Sequence, residues 1–519
     1  MTAVPAARGI PTHEGPAFRG GPGLERLREV LGEVADLERA AAVLTWDQET
    51  NMPPGGVEDR ANQLATLSRL AHERFTSSEV ARLLETAGAE ASGLIAESDE
   101  ASLLRVTRRD FEQAVKVPAD LVSEMARAAA TARPVWKEAK ERSDWSLFAP
   151  AMQVTVDLSR RLADALGYEQ RPYDALIELT EPGLTTTRVE ELFGRIKAAI
   201  VPLVHAIDEH RDRVDDSVLA RPCDERRQVE FARETIAHLG YDLERGRQDL
   251  SAHPFCISFG PGDVRLTTRT GATFGDSCLL SSIHEAGHAM YEQGVPRVLD
   301  RTPLCSGASP GVHESQSRLW ENMVGRSRPF YDWLYPRLQE AFPQSLRDVD
   351  ADAFWRACNA VRASYVRVDA DEVTYNLHIL MRFEIENDLL EGRLAVADVP
   401  EAWGARLRDY LGLEPPPDRQ GPLQDIHWTS SLGGFVGYSL GNLASAQLMA
   451  AVRADLPDLD AQFEAGDFSS LLAWLREHVH QHGRKFTPDE LLERATGSRI
   501  TAEPWIAYVR DKFAGLYGL

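Results

Sequence analysis

The segment His284-Glu285-Ala286-Gly287-His288 combines residue types and a spacing that suit metal-dependent hydrolysis. Two histidines four positions apart lie on the same face of a helix, so that one zinc ion can bind both imidazoles. Glu285 follows the first histidine and would lie beside the metal, where a carboxylate can take a proton from metal-bound water. The pattern therefore predicts a metal site with His284 and His288 as ligands and Glu285 as the catalytic base.

Two histidines leave a zinc site incomplete, so a third protein ligand is required. The continuation HxxGxxH is excluded, because Tyr291 and Gly294 stand at the relevant positions. Carboxylates occur instead in VHESQSRLWEN, residues 312–322, which supplies Glu314 and Glu321. A helix beginning near residue 312 would put Glu314 in its first turn. Glu321 is expected either to orient a ligand histidine or to be solvated.

The elements that must position these residues are predicted to be mostly helices, because apolar residues recur at spacings of three and four. The first helix runs from Leu24 to about Trp46, and similar patterns cover residues 189–204, 354–366, 377–390 and 471–479. Residues 255–270, FCISFGPGDVRLTTRT, have β-branched residues on both sides of Gly-Pro-Gly and predict a β-hairpin directly before the metal-motif helix. The chain is therefore expected to be mainly α with a small antiparallel β-sheet.

Composition narrows the class of protein. The 519 residues carry a formal net charge of −23, which disfavours nucleic acid and anionic membranes as partners. The five cysteines have no regular spacing, so neither a disulfide framework nor a thiolate zinc site is indicated, and a cytoplasmic location is expected. Residues 1–23 are rich in Gly and Pro, lack the apolar core of a signal peptide and are predicted to be a flexible tail. No stretch approaches the roughly 18 apolar residues of a membrane span.

Several blocks accompany the metal motif in order: HPF at 253–255, DxRxT at 263–267, HEAGHAMYEQG at 284–294, VHESQSR at 312–318, VRxxAD at 366–371 and GPLQDIHW at 421–428. Together they resemble the carboxypeptidase Taq family, the M32 metallocarboxypeptidases. LTWDQETNMPPGG at 44–56, YDALIELTEPG at 173–183 and the C-terminal WIAYVRDKFAGLYGL extend the resemblance from about residue 24 to the end. The resemblance predicts a single catalytic domain over residues 24–519.

The resemblance also implies a fold and an activity. The implied fold is of the neurolysin and angiotensin-converting-enzyme type, with two helical lobes around a deep cleft and a short sheet at its wall. The implied activity is release of single residues from peptide C-termini with broad specificity. Glu314 becomes the third ligand of one divalent metal ion, zinc or alternatively cobalt, and a homodimer is expected.

An enzyme that acts at a peptide C-terminus must bind a free carboxylate, for which arginine offers a planar pair of donors. Arg367 is the first candidate and Arg265 the second. The alternative for Arg367 is an internal salt bridge with Asp369 or Asp371. His253, at the start of the hairpin, is expected either to shape the substrate-binding wall or to be a turn residue without contact to substrate.

Attack on a peptide carbonyl builds an oxyanion, which requires a hydrogen-bond donor opposite the metal. His427 and Tyr438 flank the glycine-rich segment SSLGGFVG, and similar His and Tyr pairs do this work in related helical peptidases. The alternative is that either residue is a core aromatic.

Two other functions are compatible with the metal motif. An endopeptidase or dipeptidase on the same fold would share the metal chemistry, because that chemistry does not determine where a peptide is cut. A non-catalytic helical metal-binding protein is the second alternative, but a structural site has no need of a base such as Glu285.

Overall fold

The computed structural model describes residue 18 and residues 20–276 and 278–519. Most of the predicted N-terminal tail, residues 1–17 and 19, lies outside the described residues. The first helix, α1 (Pro22–Thr50), begins slightly before the predicted start and continues beyond the predicted end. Beyond Val34, Trp46 is the one buried residue of α1, so the apolar pattern could not mark where the helix stops.

The remaining helices before the sheet are mostly long. They are α2 (Val57–Phe75), α3 (Ser78–Glu90), α4 (Asp99–Lys116), α5 (Ala119–Arg142), α6 (Trp145–Leu166), α7 (Pro172–Thr180), α8 (Thr186–Glu209) and α9 (Glu225–Leu239). The periodic segment 189–204 lies within α8, as predicted.

The helices after the sheet are α10 (Cys278–Gly294), α11 (Pro310–Arg318), α12 (Arg328–Ala341), α13 (Pro343–Leu346), α14 (Ala351–Cys358), α15 (Tyr375–Leu390), α16 (Val399–Leu411), α17 (Val436–Asp455), α18 (Leu459–Ala465), α19 (Ser469–His478), α20 (Pro488–Thr496) and α21 (Glu503–Tyr517). They carry His284, Glu285 and His288 on α10, Glu314 on α11 and Tyr438 on α17. The patterns at 377–390 and 471–479 correspond to α15 and α19.

The predicted helix over residues 354–366 is wrong in its second half, because α14 ends at Cys358. The Asn359 side chain donates hydrogen bonds to the carbonyls of Arg326 and Trp355. Two residues later, the backbone amide of Val361 donates a hydrogen bond to the Tyr517 hydroxyl. Tertiary hydrogen bonds thus end the helix while apolar spacing continues.

The sheet has three strands in the order β1-β3-β2: β1 (Gln248–Leu250), β2 (Cys256–Ser258) and β3 (Val264–Thr268). Strands β2 and β3 form the predicted antiparallel hairpin. The expectation of an antiparallel sheet is nevertheless wrong, because β1 pairs with β3 in parallel and the sheet is mixed. Strand β1 reads Gln-Asp-Leu, which has neither β-branched residues nor alternation to mark it.

Helix α11 lies between α10 and α17 at unusually short distances, and a glycine on each neighbour permits this. A Cβ at Gly287 of α10 would lie 2.6 Å from the carbonyl oxygen of Gln316. A Cβ at Gly441 of α17 would lie 2.5 Å from Cγ of Glu314. Both distances are below van der Waals contact, so a side chain would not fit at either position. The absence of a side chain at Gly287 therefore allows α11 to pack close to the metal-motif helix.

Most buried apolar side chains of the described residues form two clusters of unequal size. The larger cluster extends over α5 to α21 and contains the buried tryptophans Trp320, Trp403, Trp428 and Trp505. The smaller cluster joins α1, α3 and α4 to the segment that follows α10. No helix among the described residues is long and apolar enough to cross a membrane.

Candidate metal centre and active site

Helices α10 and α11 bring three potential ligand atoms together. Oε2 of Glu314 lies 3.7 Å from Nε2 of His284 and 3.4 Å from Nε2 of His288. The three ligand atoms all lie within 4.8 Å of one another. Glu314 is in the second turn, not the first as predicted, because α11 begins at Pro310. Two imidazole nitrogens and one carboxylate oxygen are a donor set that fits a divalent metal ion.

Glu321 orients the first ligand histidine. Its Oε2 lies 2.9 Å from Nδ1 of His284, which leaves Nε2 of that ring facing Glu314. Glu321 lies in a π-helical turn, Leu319–Val324, that directly continues α11. Burial opposes ionisation of Glu321, but Arg318, His284 and Arg326 hold its pKa below the usual range. Of the two possibilities predicted for Glu321, contact with a ligand histidine is therefore the one observed.

The second ligand histidine is oriented by a residue that sequence reasoning missed. Nδ1 of His288 lies 2.6 Å from Nδ1 of His313, and Nε2 of His313 lies 2.8 Å from Oε1 of Glu292. Glu292 follows His288 by one helical turn on α10. The available signal was the position of His313 next to Glu314 in VHESQSR, but its partner His288 could be identified only after the helices were placed.

Arg318 holds the carboxylate of Glu314, the third potential ligand. Its Nε donates to Oε1 of Glu314 at 2.7 Å, so that Oε2 is the oxygen that faces the histidines. Burial opposes ionisation of Glu314, but Arg318 and then His284 hold its pKa well below the usual range. The guanidinium of Arg318 also lies 4.5 Å from the ring centre of Tyr375.

Glu285 is buried next to this cluster, with 7 % of its surface exposed. Burial raises the pKa of Glu285 to about 7; attraction by His284 opposes the rise, and repulsion by Glu314 and Glu321 adds to it. A carboxylate with this pKa can both accept and release a proton near neutrality.

Arg367 belongs to a buried cluster of charges beyond Tyr375. Its Nη1 donates to the Tyr375 hydroxyl at 3.1 Å, and its Nη2 donates to Oδ1 of Asp425 at 2.8 Å. The other carboxylate oxygen of Asp425 accepts from Nε of Arg382 at 2.7 Å. The predicted alternative, an internal salt bridge of Arg367, is present, but its partner is Asp425 and not Asp369 or Asp371.

Tyr438 and His427 lie together beside Arg367. The ring centres of His427 and Tyr438 are 6.4 Å apart, and the Arg367 guanidinium lies 5.3 Å from the Tyr438 ring centre. Burial lowers the pKa of His427, with Asp425 opposing the change. Burial and the neighbouring Tyr375 raise the pKa of Tyr438 to about 12. Tyr438 lies three positions before Gly441 on α17, so the two residues are on the same face of that helix. Gly441 is the residue that contacts Glu314.

Arg265 and His253 have their polar contacts elsewhere. Nε and Nη2 of Arg265 donate to the two carboxylate oxygens of Asp263, at 2.8 and 2.7 Å, and its guanidinium lies 4.6 Å from the Trp46 ring centre. His253 is exposed, and its carbonyl accepts a hydrogen bond from the Ser251 hydroxyl. Arg265 lies on β3, and His253 lies in the loop between β1 and β2.

The mainly helical fold and the HExxH helix with its glutamate partner define a helical metallopeptidase. Residues 26–513 match the family model described as carboxypeptidase Taq (M32) metallopeptidase. The chain is 42 % identical to thermostable carboxypeptidase 1 of Thermus thermophilus, covering 95 % of this chain and 99 % of that protein. It is 36 % identical to carboxypeptidase 1 of Bacillus subtilis, covering 94 % and 97 %.

Solved structures agree with these sequence comparisons. The M32 carboxypeptidase from Deinococcus radiodurans R1 superposes with a TM-score of 0.93 at 43 % identity, covering 96 % of this chain and 100 % of that chain. The Pyrococcus furiosus carboxypeptidase gives a TM-score of 0.92 at 36 % identity and the same coverage. The chain therefore belongs to the carboxypeptidase Taq (M32) metallopeptidase family, and it is a metal-dependent carboxypeptidase. The resemblance found in the sequence is confirmed.

Proposed function

We propose that this metallocarboxypeptidase releases single residues from free peptide C-termini with broad specificity, with zinc as its metal and cobalt as the alternative. The observation that carries the proposal is the group of His284, His288 and Glu314 ligand atoms with Glu285 buried beside it. A bound divalent cation would polarise the scissile carbonyl and lower the pKa of a water molecule.

Glu285 is proposed to accept the proton of the attacking water and to pass it to the departing amine. Its position next to His284, buried beside the three ligand atoms, supports both steps. Tyr438 and His427 are proposed as hydrogen-bond donors to the developing oxyanion. The raised pKa of Tyr438 keeps its hydroxyl protonated at neutral pH, as a donor requires.

Arg367 is proposed to bind the C-terminal carboxylate of the substrate. Two arginines, Arg367 and Arg382, share the single carboxylate of Asp425. This hydrogen-bonded group therefore carries one net positive charge in a buried place, which a substrate carboxylate would neutralise. Arg265, on β3, and His253, in the loop between β1 and β2, are kept as secondary substrate-binding residues.

We also propose that the protein is cytoplasmic and forms a homodimer. Its proposed partners are peptides and not nucleic acid. The net charge of −23 and the five unpaired cysteines support the location and the choice of partner. The homodimer rests on the family resemblance alone, and light scattering of the purified protein tests it.

One experiment separates the proposed activity from the alternatives. The purified protein is incubated with an unblocked peptide and with the same peptide amidated at its C-terminus, with and without chelator. Mass spectrometry should show a ladder of single-residue losses from the unblocked peptide only, abolished by chelator and by Glu285→Gln. Equal cleavage of the amidated peptide would mean an endopeptidase, and no cleavage by metal-loaded protein would mean a non-catalytic protein.

A further inference from the structure

Glu181 lies where the two helices that carry Glu314 and Tyr438 begin. Its side chain is buried, with 1 % exposed, and its Oε1 accepts a hydrogen bond from the amide of Gly311 at 2.6 Å. Gly311 is the second residue of α11, after the N-cap residue Ser309. The amides in a first helical turn have no partner within the helix, so this carboxylate satisfies one of them.

The same carboxylate contacts the first turn of α17. A Cβ at Gly437, the second residue of α17, would lie 3.0 Å from Oε1 of Glu181 and 3.4 Å from the Gly311 amide nitrogen. A Cβ at Gly311 would lie 2.9 Å from each oxygen of Glu181. Both helices therefore have a glycine where they contact the Glu181 side chain.

We propose that Glu181 is a positioning residue that holds the first turns of α11 and α17 together. It would thereby fix the Glu314 carboxylate relative to the Tyr438 hydroxyl. The contact of Gly441 with Glu314 lies farther along the same two helices, so the contact at Glu181 adds to the packing that sets their spacing and angle. The inference rests on the proposed role of Tyr438 for its catalytic consequence, but not for its consequence for metal binding.

A role in packing alone does not account for the residue type. Burial of a carboxyl group costs free energy that a neutral side chain of similar size avoids. Glu181 follows the end of α7, and its own amide donates to the Ile177 carbonyl at 2.7 Å, so the backbone of its segment is anchored independently of the carboxylate.

The test uses the zinc-loaded full-length protein and the variants Glu181→Ala, Glu181→Gln and Gly437→Ala. Controls are Glu169→Gln, at an exposed position, and Gly93→Ala, in an exposed turn where a Cβ meets nothing within 4 Å. Zinc affinity is measured by competition with a chromophoric chelator, kcat and KM on an unblocked peptide, and the melting temperature by circular dichroism. Glu181→Ala is expected to lower zinc affinity and kcat about tenfold each, with KM near the wild-type value.

Glu181→Gln retains an oxygen acceptor for the Gly311 amide, so its zinc affinity and kcat should decrease less than those of Glu181→Ala. Gly437→Ala should lower kcat, whereas both controls should match the wild type. If Glu181→Ala melts earlier but keeps wild-type zinc affinity and kcat below its melting temperature, the carboxylate only stabilises the fold and the inference is overturned. If Glu181→Ala does not fold, Glu181→Gln and Gly437→Ala decide by the same measurements.

The same measurements distinguish a failure of the proposed function from a failure of this inference. If Tyr438→Phe has wild-type kcat, the proposed role of Tyr438 is wrong, while a loss of zinc affinity in Glu181→Ala still supports the positioning of Glu314. If no peptide is trimmed by any variant, zinc affinity alone decides, and wild-type affinity in Glu181→Ala overturns the inference.

Discussion

Nδ1 of His288 lies 2.6 Å from Nδ1 of His313, and Glu292 holds the far nitrogen of His313 at 2.8 Å. His284 has a matching contact, since its Nδ1 lies 2.9 Å from Glu321. Each ligand imidazole is thus held through the ring nitrogen that does not face Glu314. Such contacts set the ring orientation and strengthen the ligand.

His313→Ala should therefore lower metal affinity about 10- to 100-fold, because the His288 ring loses the group that orients it. The measurement is a competition titration of the purified apo-protein with zinc and a chromophoric chelator. His72→Ala, at an exposed position on α2, serves as the control. Equal affinities for wild type and His313→Ala would show that His313 does not orient His288.

Gly441→Ala should destabilise the protein and weaken metal binding, because the added methyl group would lie 2.5 Å from Cγ of Glu314. Overpacking of this kind costs about 1–3 kcal/mol of unfolding free energy. Gly194→Ala in α8 is a matched control, since its Cβ would meet nothing within 4 Å. It should stabilise the protein by up to about 1 kcal/mol through helix propensity. Urea unfolding monitored by circular dichroism measures both changes, and a loss of the same size at both glycines would contradict the steric explanation.

Most of the fold and the pairing of His284 with His288 could be predicted from the sequence, because they depend on local patterns, whereas only the family resemblance favours Glu314 over Glu321. The i, i+4 histidines need only one helix, and the hairpin needs only its own turn. The partners of Arg367 could not be predicted, because Asp425 lies 58 positions away and reaches Arg367 only through tertiary packing. The same holds for the contact between His288 and His313, which are on different helices, and for β1, whose three residues become a strand only by pairing with β3.

Glu181→Gln should change how stability depends on pH. Burial raises the pKa of Glu181 from 4.5 to about 7, although hydrogen bonds from Ser309 and Gly311 oppose the rise. Between these two values the folded protein holds a proton that the unfolded chain releases, so the free energy of unfolding falls as pH rises. The contribution of Glu181 is fully present below its unfolded pKa and is lost as pH rises through the folded pKa.

As pH rises, the free energy of unfolding of the wild type should fall by on the order of 1–3 kcal/mol through Glu181. The glutamine variant should lack this decrease, because its amide does not titrate. Urea unfolding of both proteins at about pH 5 and about pH 8 measures it. The stability of Glu181→Gln relative to wild type should increase over this interval. A constant difference between the two proteins would show that Glu181 does not titrate in this range.

Arg367→Lys should impair recognition of the substrate C-terminus, because lysine keeps the charge but not the planar pair of donors. A lost hydrogen bond to a charged group costs about 1.5–3 kcal/mol, which corresponds to a decrease in kcat/KM of roughly 10- to 100-fold. The effect should appear mainly as an increase in KM for an unblocked peptide, with zinc affinity unchanged, because Arg367 does not contact His284, His288 or Glu314. Arg269→Lys, at an exposed position after β3, is the control and should match the wild type. An unchanged KM in Arg367→Lys would assign the carboxylate site to another cation, of which Arg265 is the next candidate.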